Sequence, residues 1–129
     1  MKQLCFEERL ALEVDCRLLS FWSLVFLAGI VDEQAELLGG GGRLAYARGY
    51  HRHDFGRGNP FAATDDALDL ELVDVWSQVA SAIDWPEQQE GLLPMLLRLA
   101  YLRGWMDASS ARPFGGAPEG YPDALWLPA

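Results

Sequence analysis

The sequence predicts an all-α fold, a compact bundle of four to five helices with an irregular aromatic C-terminal tail. Three observations predict it. Apolar residues recur at three- and four-residue steps through several segments. No stretch alternates with period two for long enough to build a sheet. Prolines and glycines gather between the periodic segments and in residues 112–129. With 129 residues, half of them apolar, the chain suits one helical domain over 1–111 and is too short for two independent cores.

The first helix is expected from Leu4 to about Leu38. Phe6, Leu10, Val14, Leu18 and Phe21 fall on one face. From Leu18 to Val31 there are fourteen residues without a charge. A helix apolar all round belongs inside, so Phe21 to Ile30 is expected at the centre of the core. A membrane span wants about 20 such residues, and no membrane role is expected. A secretory leader fits poorly, because Glu7, Glu8, Glu13 and Asp15 stand where basic residues are needed. Gly29 is a point where this helix can bend or split, and Gly39-Gly40-Gly41-Gly42 is expected to end it.

Arg43 to about His53 reads as a second helix, followed by a loop at Gly56, Gly58, Asn59 and Pro60. Thr64 and Asp65 supply capping chemistry for a third, Asp66 to Ile83. Its stripe is Leu68, Leu72, Val75, Trp76, Val79 and Ile83. Asp84-Trp85-Pro86-Glu87 starts a fourth helix running to about Ser109, with Pro94 either near its start or kinking it. In the tail, Phe114, Tyr121, Leu125, Trp126 and Leu127 are too apolar for a free solvated end; they pack on the bundle or on a partner.

Cys5 and Cys16 are eleven residues apart. On a helix that is roughly 16 Å along the axis, against the roughly 4.4–6.8 Å between Cα atoms that a disulfide needs. Free thiols filling small core sites, in a reducing cytoplasm, are expected.

The net charge of −9 is unevenly laid out. Residues 58–97 hold no Lys or Arg and eight acids: Asp65, Asp66, Asp69, Glu71, Asp74, Asp84, Glu87 and Glu90. Just before them, Arg43, Arg48, Arg52 and Arg57 face a single acid, Asp54. Nonspecific DNA binding is disfavoured by the overall acidity. The acidic block reads as a solvated face that either keeps the chain soluble or meets a basic protein partner, steering it more than tightening it.

Arg43-Leu44-Ala45-Tyr46-Ala47-Arg48-Gly49 recurs as Arg98-Leu99-Ala100-Tyr101-Leu102-Arg103-Gly104, six of seven positions identical at a shift of 55. Tyr50 and Trp105 keep the register, and Pro60-Phe61 and Pro113-Phe114 follow. These define repeat units near 43–61 and 98–114, whose glycines let another backbone approach and whose pairing about a pseudo-twofold axis is an expectation.

Within the first copy, Ala45-Tyr46, Gly49, Gly56, Asn59-Pro60-Phe61 and Trp76 resemble the pattern of small ribosome modulation factor-like proteins of phage and plasmid reading frames. The resemblance covers about residues 43–81. It departs where the family has a glycine soon after the Trp and this chain has Ser77-Gln78-Val79-Ala80, and in charge, the ribosome-binding members being basic. It implies a phage or mobile-element origin and does not carry over the family's rRNA contacts.

No phosphate loop follows the four glycines, and there is no Gly-x-Ser-x-Gly elbow. His51 and His53 sit two apart in what reads as a solvated turn, with no further ligand near in sequence. No cofactor, no metal and no enzymatic activity are expected. The expected function is that of a small cytoplasmic protein-binding protein. Its narrowest form is a phage-type, anti-CRISPR-like inhibitor of a host defence complex. In that form the acidic residues engage a basic nucleic-acid-binding surface, with Trp85 or Trp126 as hydrophobic anchor. The alternatives are a ribosome- or RNA-associated module using the arginine segment, and a toxin-neutralising or homodimeric interaction protein.

Overall fold

The computed structural model describes residues 14–110. Residues 14–17 form a helical turn, followed by α1 (Leu19–Leu27), α2 (Asp32–Asp54), a 3-10 turn (Pro60–Ala62), α3 (Asp65–Glu71), α4 (Val73–Ala82), α5 (Glu87–Glu90) and α6 (Leu93–Ser109). The fold is all-α, with no strand among the described residues. None of the described helices is long and apolar enough to cross a membrane. Cys5 and the aromatic tail, Trp126 included, lie outside the described residues.

The core is built on α2 and α6. On α2 the stripe Leu38, Gly41, Gly42, Ala45, Tyr46 and Gly49 is buried, and so is the stripe 55 residues on, Leu93, Leu96, Leu97, Ala100, Tyr101 and Gly104. The repeated segments therefore face each other. A Cβ on Gly49 would collide with the carbonyl of Tyr101, and one on Gly104 with the carbonyl of Tyr46. Each copy gives its glycine to the other's tyrosine backbone, a reciprocal contact about a local pseudo-twofold. Near one end Gly41 meets Leu97, and near the other the rings of His53 and Trp105 are 5.6 Å apart. The two helices thus run in the same direction.

The four glycines do not end a helix. α2 passes straight through them, so Arg43–His53 is the second half of a 23-residue helix. The reason lies in what packs there. A Cβ on Gly39 would fall 2.8 Å from the Trp22 ring, on Gly41 2.9 Å from Val79, and on Gly42 2.7 Å from the Phe21 ring. Glycine costs a helix interior up to about 1 kcal/mol against alanine, and here it lets three large side chains lie against the helix backbone.

The expected long first helix is interrupted at Leu18 and again after α1. Gly29 takes φ +73°, its N–H donating to Phe26 O at 3.0 Å and that of Ile30 to Val25 O at 3.1 Å. This is a Schellman end, closed by contact between buried Val25 and Ile30. Gly56 ends α2 in the same way, with Gly56 N–H on His53 O and Arg57 N–H on Arg52 O. The apolar segment is also not central. Phe21 and Val25 face the core, while Leu19, Phe26 and Leu27 are 71%, 79% and 76% exposed. The centre is already filled by the α2–α6 pair, so α1 covers one side of it. Cys16 is exposed, contrary to its expected core position.

The third expected helix holds its stripe but breaks at Leu72. Leu68, Leu72, Val75 and Val79 are buried, and Trp76 and Ile83 pack against them. α3 packs on α6, while α4 packs on both α2 and α6, and the break lets each half follow its own neighbours. Thr64 caps α3, its Oγ1 accepting the Ala67 N–H at 3.1 Å. The fourth expected helix is divided into α5 and α6, and Pro94 lies in the first turn of α6 rather than at a kink.

Candidate functional site

The acidic block and the arginine segment, expected as separate surfaces, meet each other. α4 packs on α2, which brings Asp74 into a bidentate pair with Arg48. The Arg48 guanidinium draws the Asp74 carboxyl down to about 2. Glu71 is bound by Arg52 at 2.6 Å and by Arg57 at 3.1 Å. Arg52 also donates to the Tyr101 hydroxyl at 3.0 Å and to the Gly58 carbonyl at 3.0 Å. Arg98 holds Asp69 at 2.7 Å and stands 3.8 Å from Asp65. Arg43 pairs with Asp15 at 3.2 Å. Four of the eight acids and all four arginines of the segment are thus engaged within the chain. The others, Asp66, Asp84, Glu87 and Glu90, are exposed and in no ion pair among the described residues.

Trp85 is not available as an anchor. It is buried against the core, and its indole Nε1–H donates to Val79 O at 2.9 Å. That bond satisfies the one polar atom of the ring, so the side chain serves the fold.

Sequence reasoning missed a buried carboxylate, Asp107. It accepts from the Tyr46 hydroxyl at 2.6 Å and Arg17 at 3.2 Å, and its other oxygen faces Arg103 Nε at 3.1 Å. Burial, and then the carboxylate beside it, push the Tyr46 hydroxyl well above its ordinary value. The same register relates this cluster to the other copy. Tyr46 reaches Asp107 as Tyr101 reaches Arg52, and each pair of counterparts is 55 residues apart. The repeat register places Asp107 opposite Arg52, a mismatch of charge, so nothing in the sequence repeat singles it out.

His51 and His53 lie in the last turn of α2, not in a turn between helices, and are exposed. Their Nδ1 atoms stand 3.8 and 4.0 Å from the Asp54 carboxylate. No group of three His, Cys, Asp or Glu able to hold a metal occurs among the described residues.

Two clefts flank the charged seam. One, of about 580 Å³, is lined by Arg48, His51, Arg52, Phe55, Arg57, Glu71 and Tyr101, with its three arginines paired to the two carboxylates of Glu71 and Asp74. The other, of about 490 Å³, lies where α3 and α4 meet the start of α6. Leu70, Leu72, Val73, Trp76, Pro94 and Leu97 form it, with Asp66 and Asp69 at its edge. Its volume is that of ordinary ligand pockets, roughly 300–1,000 Å³. An apolar cavity with carboxylates at the rim suits binding of an apolar group beside a cation. No known protein family, curated protein or solved structure matches the chain.

Proposed function

We propose that this chain is a non-catalytic, protein-binding protein of the cytoplasm whose contact face is the acidic surface of α3 to α5. One observation supports it above the others. Within a forty-residue run that has no cation, Asp66, Asp84, Glu87 and Glu90 are exposed and in no ion pair among the described residues. Exposed charges of one sign favour approach of a basic partner and set its orientation. The narrower form of the proposal is an anti-CRISPR-like inhibitor that covers the nucleic-acid-binding surface of a host defence complex.

The test is inhibition of target cleavage by purified CRISPR effector complexes. Wild-type protein is expected to block at least one of them before target binding. The triple variant Asp66→Lys, Glu87→Lys, Glu90→Lys, with an unchanged helical spectrum, is expected to lose the block. Inhibition retained by the variant would refute the acidic face; no inhibition of any effector would refute the narrower form. The RNA-associated reading needs Arg43, Arg48, Arg52 and Arg57 free for phosphates, and each of them already holds a carboxylate.

A further inference from the structure

We infer that the apolar cleft between α3, α4 and α6 is a socket for one large apolar side chain flanked by Lys or Arg on a protein partner. The inference deepens the proposed function and rests on it: the partner brings the anchor, and this chain supplies the receiving half.

The floor of the cleft is core. Leu72 and Leu97 are buried, and Trp76 is half-buried against them, so the cavity is held open by packed side chains. Its lips are not core. Leu70 is 74% exposed and Val73 48% exposed, although both are apolar and adjacent to the cavity. Leu70 and Val73 stand two and five residues on from Leu68, off the buried stripe, and so face outward on either side of Leu72.

Charge selects the occupant. Asp66 and Asp69 line the cleft, and Arg98, which holds Asp69, also stands 3.8 Å from Asp65, so three carboxylates meet one guanidinium there, a surplus of two negative charges. A second copy of this acidic chain would bring like charge to that rim. Residues 111–129 of the chain itself carry Glu119 and Asp123 against the single Arg112, and their apolar run Leu125-Trp126-Leu127 has no cation beside it, so that segment does not match the rim either. A basic segment with an apolar residue at its centre satisfies both the cavity and the rim.

The experiment is calorimetric titration of the full chain with two synthetic peptides. One carries Phe between two Lys-Arg pairs; the other has Gly in place of the Phe. The Phe peptide is expected to bind about ten-fold or more tightly than the Gly peptide. Leu70→Ser with Val73→Ser removes exposed apolar lips without changing charge, and is expected to make the two peptides equal. Asp66→Asn is expected to weaken both alike and to flatten their salt dependence. Equal binding of the two peptides to wild type, absence of binding by either, or a Phe preference that survives the double serine variant would each overturn the socket. Those outcomes leave the cleavage assay untouched. Conversely, an intact Phe preference with no inhibition by wild type would retain the socket and remove the defence-complex reading.

Discussion

Adding one methyl group to α2 should have opposite effects at two positions nine residues, or about 13.5 Å, apart along the helix: at Gly40 it meets open space, and at Gly49 it meets another helix's backbone. A Cβ at Gly49 would lie 2.7 Å from the Tyr101 carbonyl carbon and 3.1 Å from its Cα. Its counterpart at Gly104 would lie 2.8 Å from the Tyr46 carbonyl carbon and 2.9 Å from the Tyr50 nitrogen. Those neighbours are backbone inside a helix, so no rotamer change relieves them; α2 and α6 must separate along a stripe whose members are all buried. Overpacking ordinarily costs about 1–3 kcal/mol, and a rigid obstacle places Gly49→Ala at the upper end or beyond. Gly40→Ala has no obstacle and lowers the entropy of the unfolded chain, a gain of about 0.4–1 kcal/mol. At roughly 4 °C per kcal/mol, the two variants should melt on opposite sides of the wild type, about 10 °C below and a few degrees above. Circular dichroism melts at matched concentration measure this. A Gly49→Ala protein as stable as wild type would refute the close approach of the two repeats.

Three further outcomes follow from the same packing. Below pH 10 the Tyr46 hydroxyl is protonated in folded and unfolded chains alike; above it, the unfolded chain releases the proton and the folded chain holds it. Urea midpoints should therefore fall as pH rises past 10, and Tyr46→Phe should make that fall shallower. Asp74 works at the other end: its pairing contributes fully above about pH 4 and is lost as pH drops through about 2. Because the pair is exposed, Asp74→Asn should cost less than about 1 kcal/mol at neutral pH in denaturant titrations. Trp85→Ala should cost about 3–5 kcal/mol and Trp85→Phe, which loses the bond to Val79, about 0.5–1.5 kcal/mol. A near-neutral Trp85→Ala in the same titrations would show that the indole is not part of the core.

The parts of the fold legible in the sequence are those decided locally. The stripe from Leu68 to Ile83 and the Thr64 cap depend on spacing and on one hydroxyl, and both are where periodicity places them. The glycine run is the opposite case. Read alone, Gly39 to Gly42 is a breaker; only the presence of Phe21, Trp22 and Val79 against it makes a continuous helix the lower-energy answer. The segment from Leu18 to Val31 misleads because uniform apolarity carries no directional information: it says that some faces are buried without saying which. The charge layout was visible, but not its pairing. Arg48 and Asp74 are 26 residues apart, and Arg98 and Asp69 are 29 apart, so their union depends on how helices stack. The cleft was invisible for the same reason, its walls coming from three helices.

The co-directional arrangement of α2 and α6 has a consequence for how the chain reaches its native state. Two helices running the same way cannot close as a hairpin; the chain must first travel back, and it does so through α3, α4 and α5. The principal interface therefore joins segments about 55 residues apart, and none of it can form before that long loop is closed. Helical bundles ordinarily fold fast because their contacts are local. This chain, helical as it is, should refold at the slower pace of proteins whose contacts are remote, with α2 and α6 joining late.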